Sequence, residues 1–262
     1  MTDAGKTAFA SSPAYADWIF VMKTWGDGLK KAGIGKLAPG EQTDRLLKSV
    51  SGSLAKAGNL EVLGRGSSRT AFRFKKDPKF ALKVASNSEG LVQNEAEYAN
   101  ATKAGESYSC FARVLDFDSL NGAFMACDCC PQTTPADWVR VTGLPIESVL
   151  DIVDCAVSGK VSLREIERQC SLGWDEMSSW FAGRFPPAKL RAVAGFCRNA
   201  VSSDMLKWRV FRDMIRFYFD NGNQAMLMAD MGGYANWGVL KGQAPEQDAI
   251  VIIDSGLGEG AV

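Results

Sequence analysis

The chain has 262 residues, of which 46% are hydrophobic and 23% charged, as is typical of a globular protein with a substantial core. Its 30 Lys and Arg residues balance its 30 Asp and Glu residues, so the formal net charge is +0 and no broad basic surface for nucleic acid or membranes is expected. The absence of histidine excludes Ser-His-Asp and Cys-His catalysis, as well as zinc or haem held by histidine.

The sequence predicts a cytoplasmic protein. No apolar run reaches the roughly 18 residues that a membrane-spanning helix needs, and residues 1–6 lack the apolar core of a signal peptide. The seven cysteines are odd in number and irregularly spaced, which favours free thiols in a reducing compartment. We therefore expect neither a membrane nor a nucleic acid among the partners of the chain.

Residues 1–58 are predicted to be a helical extension that packs on the main domain. Apolar residues recur at helical spacing in 18–25 and again in 46–54, with glycine and proline between the two stretches. Residues 59–128 then have the pattern of three strands, one helix and two further strands. The strands are predicted at 60–63, 70–74, 80–85, 112–118 and 122–127, and the helix at 89–104.

Residues 129–262 are predicted to be rich in helix. Residues 146–156 are periodic, Ser162 and Glu165 form a possible capping box, and 189–220 contains two helical stretches. Two short strands are expected near the end of the chain, at 236–240 and 249–253. The predicted class is therefore α+β.

Three features of the first half are candidate parts of an anion-binding site. Gly64 and Gly66 lie between two strands, where paired glycines let backbone amides approach phosphate oxygens, although alone they fit an ordinary hairpin turn better. Lys83 lies inside an apolar strand, where a lysine must find an anion or extend to water. Glu95 and Glu97 on the following helix are both candidate partners for it, and the neighbours on its helix face favour Glu97.

Three oxygen-bearing residues near the end of the chain point to a metal and a base. Asp254 ends the apolar run 250–253, and a carboxylate at the end of a buried strand is well placed to bind a hard cation. The amide of Asn236 could complete the coordination of Mg²⁺, and Asp230 could accept a hydroxyl proton. Each of the three, taken alone, is more often a turn residue.

In this order the features resemble the protein-kinase fold over about residues 60–258, and the local motifs look most like compact atypical kinases of bacteriophages and bacteria. The resemblance implies two lobes with ATP and Mg²⁺ (or Mn²⁺) between them. Lys83 would bind the α- and β-phosphates and pair with Glu97, Asp230 would be the catalytic aspartate, and Asn236 and Asp254 would hold the metal. The other implied nucleotide contacts are Gly64, Arg65, Gly66, Ser67 and Ser68 at the phosphates, and the backbone of Asp128, Cys129 and Cys130 at adenine.

The sequence also departs from the kinase pattern. Met228 and Ala229 replace the His-Arg pair before the catalytic aspartate, Ser255 replaces the Phe of Asp-Phe-Gly, and the spacing from Asp230 to Asn236 is one residue longer than usual. The sequence given also stops where an activation segment would begin, so control through such a segment is not expected. A zinc site in the cysteine-rich run 127–130 is disfavoured because no second pair of ligands is found at suitable spacing.

The resemblance leaves several functions open. The first is a serine/threonine kinase that phosphorylates a protein, such as a host protein if the chain is encoded by a phage. The alternatives are a pseudokinase that binds a host factor, a kinase for small molecules, and an enzyme that transfers the nucleotidyl group. The sequence predicts neither the oligomeric state nor the role of residues 1–58.

Overall fold

The computed structural model describes residues 3–102, 108–172, 185–221 and 231–253. These residues form nine α-helices and seven β-strands, which confirms the predicted α+β class. The described chain divides into two compact units. The first contains residues 3–102 and 112–129, and the second contains residues 108–111 together with the described residues from 130 onwards.

The first unit is built on a five-stranded antiparallel sheet in the order β1-β2-β3-β5-β4. A helix, α4, lies between β3 and β4 in the chain, so the predicted succession of three strands, a helix and two strands is confirmed. The elements are β1 (Leu60–Arg65), β2 (Arg69–Phe74), β3 (Phe80–Ala85), α4 (Ser88–Thr102), β4 (Val114–Phe117) and β5 (Phe124–Asp128).

One face of this sheet is covered by the three N-terminal helices, α1 (Asp3–Ala10), α2 (Pro13–Lys31) and α3 (Glu41–Leu54). The helices and the sheet share a single hydrophobic core. The Phe9 ring packs 5.1 Å from the Phe80 ring, and the Trp25 ring packs 5.3 Å from that of Phe124, both edge to face. The amphipathic faces predicted for residues 1–58 are thus buried against β-strand side chains of this unit.

The second unit is mostly helical. Its helices are α5 (Pro135–Thr142), α6 (Ile146–Ser158), α7 (Leu163–Leu172), α8 (Leu190–Ser202) and α9 (Leu206–Asn221). The predicted helices at 146–156 and in 189–220 are confirmed as α6, α8 and α9. The Glu165 N–H donates to Ser162 Oγ at 3.1 Å, which is one of the two hydrogen bonds of the predicted capping box. Within the described residues, no helix has both the length and the apolar character needed to cross a membrane.

A two-stranded antiparallel hairpin completes the second unit, and its strands are β6 (Trp237–Leu240) and β7 (Ala249–Ile252). Both strands were predicted. The Trp237 ring is fully buried, lies 5.0 Å from the ring of Trp138 on α5, and donates its indole N–H to the Met231 carbonyl. The hairpin therefore packs firmly on the helices of its own unit.

Candidate functional site

Lys83 lies on β3, the central strand of the five-stranded sheet, between Ala71 of β2 and Met125 of β5. Because side chains alternate along a strand, Leu82 and Val84 point into the core shared with the N-terminal helices, and Lys83 points to the opposite face. Its side chain is only 12% exposed. A buried ammonium group needs a charged or polar partner, and α4 supplies one.

That partner is Glu97, whose Oε1 accepts a hydrogen bond from Lys83 Nζ. Glu97 is 4% exposed, whereas Glu95 lies on the exposed surface of the same helix. Of the two glutamates considered from the sequence, Glu97 is therefore the one that pairs with Lys83. An ammonium group carries three donors, so this bond is compatible with donation to a phosphate oxygen.

A second cation, which the sequence analysis did not single out, holds the other oxygen of Glu97. Arg69 Nη1 lies 2.7 Å from Glu97 Oε2 and 3.4 Å from Asn94 Oδ1, and both Arg69 and Asn94 are buried. The Asn94 amide in turn donates to the Gly122 carbonyl at 2.8 Å. Glu97 thus bridges cations from two neighbouring strands, and each of its oxygens has its own partner.

The turn between β1 and β2 contains the glycines proposed to cover phosphates. Gly64 and Arg65 belong to β1, and the turn closes with a hydrogen bond from the Gly66 N–H to the Arg69 carbonyl at 2.8 Å. A Cβ built on Gly64 would meet no atom within 4 Å, and one on Gly66 would meet only the Arg69 carbonyl oxygen, at 3.6 Å. Neither glycine is therefore required by the packing of the described residues.

The end of this turn is fixed to α4. Ser68 Oγ donates to the Gln93 side chain, and the Ser68 carbonyl accepts from the Ser86 N–H at 2.7 Å. The Ser67 carbonyl accepts from the Asn87 side chain at 3.3 Å. The helix that carries Glu97 thus also holds the glycine-containing turn.

Gly90, in the first turn of α4, makes this close packing possible. A Cβ at this position would lie 2.2 Å from the Ser68 carbonyl oxygen and 3.1 Å from Ala85 Cα. No side chain fits at the first of these distances, because backbone atoms would have to move apart. Gly90 is a second residue of this site that sequence reasoning missed, since a glycine near a helix start has many possible explanations.

The segment predicted to meet adenine is already engaged through part of its backbone. The Asp128 N–H donates to the Arg113 carbonyl at 3.0 Å, and the Cys129 N–H donates to the Lys79 carbonyl at 2.8 Å. The Asp128 carboxylate forms a two-pronged ion pair with Arg113, at 2.7 and 3.0 Å. The Asp128 and Cys129 N–H groups therefore cannot donate to adenine while these bonds hold. The predicted adenine contact of the segment 128–130 has to exclude these two N–H groups.

The residues predicted to hold the metal and the base are only partly within the described chain. Asn236 ends a short 3-10 turn immediately before β6, and its carbonyl accepts from the Ile253 N–H at 2.9 Å. The β6–β7 register, with Trp237 opposite Ile252, explains this closeness. Asp230 and Asp254 lie outside the described residues, and within those residues no group of three His, Cys, Asp or Glu side chains could hold a metal ion.

Gly238, in the Asn-Trp-Gly-Val motif, allows β6 to approach the chain at 130–133. A Cβ there would lie 2.6 Å from Cys130 Cβ and 2.9 Å from the Cys130 carbonyl oxygen. Two backbone bonds join the segments, from the Val239 N–H to the Pro131 carbonyl and from the Thr133 N–H to the Trp237 carbonyl. The glycine thus has a packing role in the second unit.

The seven cysteines, all of which lie in the described part of the chain, are not joined by disulfides. Cys127 lies on β5 opposite Ala81, on the face of the sheet that also carries Lys83. Burial is the main cause that raises the pKa of the Cys127 thiol to about 12, against the smaller opposing effect of Lys83. At neutral pH this thiol is protonated, so Cys127 contributes an uncharged side chain to the Lys83 face of the sheet and does not act as a nucleophile.

Comparisons with protein-family models, with curated proteins and with solved structures gave no match, so the candidate site stands on the geometry of this chain alone.

Proposed function

We propose that the protein is an ATP- and Mg²⁺-dependent phosphotransferase of the protein-kinase type that phosphorylates a hydroxyl group of a protein. The observation that carries the proposal is the buried ion pair between Lys83 on β3 and Glu97 on the helix that follows it. Protein kinases need such a pair between a lysine of the third strand and a glutamate of the next helix. The five-stranded sheet and its single helix between β3 and β4 also fit the small lobe of that fold.

The surroundings of Lys83 fit a site for nucleotide phosphates. The turn 64–68 connects β1 to β2, the neighbour of β3 in the sheet, and it has open space beside Gly64. Its far end is anchored to α4, the helix that also positions Lys83 through Glu97. In the proposed function, Lys83 donates to the α- and β-phosphates, and Glu97 keeps its ammonium group in place.

The second unit would supply the metal ligands and the base. Asn236 and Asp254 offer amide and carboxylate oxygens, which are the ligands that Mg²⁺ prefers, and Asn236 lies beside Ile253, the residue before Asp254 in the sequence. A bound Mg²⁺ would neutralise charge on the phosphate oxygens. Asp230 would accept the proton of the attacking hydroxyl group.

The proposed reaction has a simple balance. The oxygen of a serine or threonine hydroxyl group forms a bond to the γ-phosphorus, while the bond from that phosphorus to the β,γ-bridging oxygen breaks. The electrons of the broken bond leave with ADP, and the hydroxyl proton passes to the Asp230 carboxylate. Positioning and charge stabilisation provide most of the rate enhancement in such a transfer, because little covalent help is needed from the protein.

The test is phosphate transfer by the full chain with ATP labelled at the γ-phosphate, in the presence of Mg²⁺ or Mn²⁺, to itself and to proteins of a lysate. We expect Lys83→Met to lower the transfer at least about 100-fold, since it removes a charge that stabilises the transition state. Lys75→Met is the matched control, because Lys75 follows β2 on an exposed part of the same unit and donates to the Gly58 carbonyl.

Other outcomes of the same assay would favour the alternative functions. Transfer of an α-label would indicate a nucleotidyl transferase, and γ-label found only on an added small hydroxyl compound would indicate a small-molecule kinase. Tight ATP binding without turnover, together with partner binding that survives Asp254→Ala, would indicate a pseudokinase. Equal transfer by wild type and Lys83→Met would remove the proposed mechanism.

A further inference from the structure

A surface cavity of about 660 Å³, wide open to solvent, is lined only by residues of the second unit. Its walls come from the connection between α6 and α7, from the end of α8, and from α9. On α9 the lining residues are Arg212, Ile215, Arg216 and Phe219, which follow the i, i+3, i+4, i+7 spacing of one helix face. Pockets that bind small ligands commonly have volumes of 300–1,000 Å³, so this cavity is large enough for one.

The charge of the lining is strongly one-sided. Four of the residues that line the cavity are basic, namely Lys160, Arg164, Arg212 and Arg216, and none of the described residues that line it is acidic. The chain as a whole has a formal net charge of +0, so this concentration is local rather than a consequence of composition. Clustered like charges repel one another, and a bound anion would relieve that repulsion.

Two described acidic residues lie at the edge of ion-pair distance from arginines of the cavity, and Glu167 interacts electrostatically with Arg164. Asp204 lies 3.9 Å from Arg212 and Asp220 lies 3.9 Å from Arg216, which is the outer limit of an ion pair, and both acids are exposed. Asp220 also accepts the hydroxyl of Tyr108 at 2.9 Å. Exposed pairs at this distance are weak, so the contacts with Asp204 and Asp220 would compete only weakly with a bound anion.

The arginines are held at the cavity by other contacts. Arg212 Nη1 donates to the Val201 carbonyl at 3.2 Å, and the Arg216 guanidinium lies 4.9 Å from the centre of the Tyr108 ring. A guanidinium group can stack on a ring and donate through its edge at the same time. These contacts reduce the side-chain entropy that an anion would have to remove on binding.

We propose that this cavity binds a phosphate monoester, of the kind carried by phosphoserine or phosphothreonine. Such a group has a charge of about −1.5 to −2 and three strong acceptor oxygens, which match several guanidinium groups at once. A single carboxylate offers one charge and two oxygens. Apolar walls formed by Val161, Leu163 and Ile215 would take the carbon part of the ligand. The proposal concerns the second unit alone and does not depend on the proposed phosphotransfer.

The test uses the full chain and isothermal titration calorimetry with a short peptide that contains one phosphoserine. Its serine and glutamate twins and inorganic phosphate are titrated in parallel. We expect the phosphopeptide to bind at least about tenfold more tightly than either twin, and Arg164→Gln and Arg216→Gln each to weaken it by about tenfold or more. Arg191→Gln, an exposed arginine of α8 that does not line the cavity, is the matched control.

Each outcome of these titrations either supports or overturns the proposed phosphate site. Competition by inorganic phosphate at similar affinity would support the phosphate site and show that the free ion is a sufficient ligand, whereas much weaker competition would show that the peptide adds contacts. Equal binding of the glutamate or serine peptide would overturn the proposal. It would also be overturned by unchanged affinity in a folded Arg164→Gln/Arg216→Gln double variant, with folding checked by the thermal unfolding midpoint.

Discussion

Arg69 Nη1 lies 2.7 Å from Glu97 Oε2, so the carboxylate that pairs with Lys83 through one oxygen is held by a second cation through the other. The arrangement ties β2, β3 and α4 together at one buried point. Loss of any member changes the charge balance in a region with little access to solvent, where an uncompensated charge is costly. The first two predictions follow from this arrangement.

Arg69→Met is expected to lower the free energy of unfolding by about 1–3 kcal/mol, because it removes a hydrogen bond to a buried charged group. Arg73→Met is the matched control. Arg73 lies four residues along on the same face of β2, but its pair with Glu61 is much more exposed, so we expect a loss below about 1 kcal/mol. Urea unfolding of both variants is the measurement, and equal losses would contradict the assigned role of Arg69.

Glu97→Gln should be more damaging than Arg69→Met. It leaves two buried cations facing a neutral amide, and the removal of one partner of a buried ion pair typically costs about 3–5 kcal/mol. Glu95→Gln, two residues away on the exposed side of α4, should change the free energy of unfolding by no more than about 0.5 kcal/mol. A similar effect of the two substitutions in urea titrations would show that Glu97 is not the central partner.

Two glycine-to-alanine substitutions should change the free energy of unfolding in opposite directions. Gly90→Ala puts a Cβ 2.2 Å from the Ser68 carbonyl oxygen, so we expect a loss of about 1–3 kcal/mol and a displaced turn. Gly26→Ala lies within α2, where an added Cβ meets nothing within 4 Å, and it should stabilise by about 0.5–1 kcal/mol. Thermal unfolding midpoints should therefore move in opposite directions, and a fall of both would argue against the close approach at Gly90.

Asp248 provides a prediction about pH. Burial alone would raise the pKa of its carboxyl group, but hydrogen bonds from the Gly242 N–H, Lys241 and Arg140 bring that pKa below its ordinary value. Because the folded-state pKa is the lower one, the stabilisation is present above the unfolded-state pKa of about 3.9 and is lost as the pH falls through the folded-state pKa.

The comparison of wild type with Asp248→Asn between pH 2 and pH 7 tests this sign. The variant should have a lower unfolding midpoint near neutral pH, and the gap between the two proteins should close as the pH falls below about 4. A gap that stays constant with pH would mean that the charge of Asp248 does not contribute.

The local pattern was enough to predict the order of elements in the first unit. Alternating apolar residues predicted β2 and an apolar stretch predicted β3, and the position of Lys83 in that stretch predicted that it needs a partner or access to water. The role of Arg69 could not be read in the same way. Arg69 and Lys83 lie on the same face of the sheet because Arg69 pairs with Ala85 and Ala71 pairs with Lys83. The sequence alone does not reveal this register.

The backbone bonds of Asp128 and Cys129 were unpredictable for a related reason. They depend on the pairing of β5 with β4, where the register shifts between Val114 and Asp116, and on the approach of the chain at Lys79. Likewise, helical periodicity predicted amphipathic helices in residues 1–58 but could not identify what their apolar faces cover. Such features arise from tertiary packing, which local propensity does not encode.

The aromatic side chains packed between the N-terminal helices and the sheet have a consequence for the design of truncated variants. Phe72, Phe74 and Phe124 are shielded from water by a core that includes Phe9, Trp18 and Trp25. A truncated chain that starts at Asn59 would expose these rings to solvent as one contiguous apolar patch, and such patches promote aggregation. Residues 1–58 are therefore part of the hydrophobic core of the first unit and not a removable tail. Loss of activity after their deletion would report loss of folding and would give no information about catalysis.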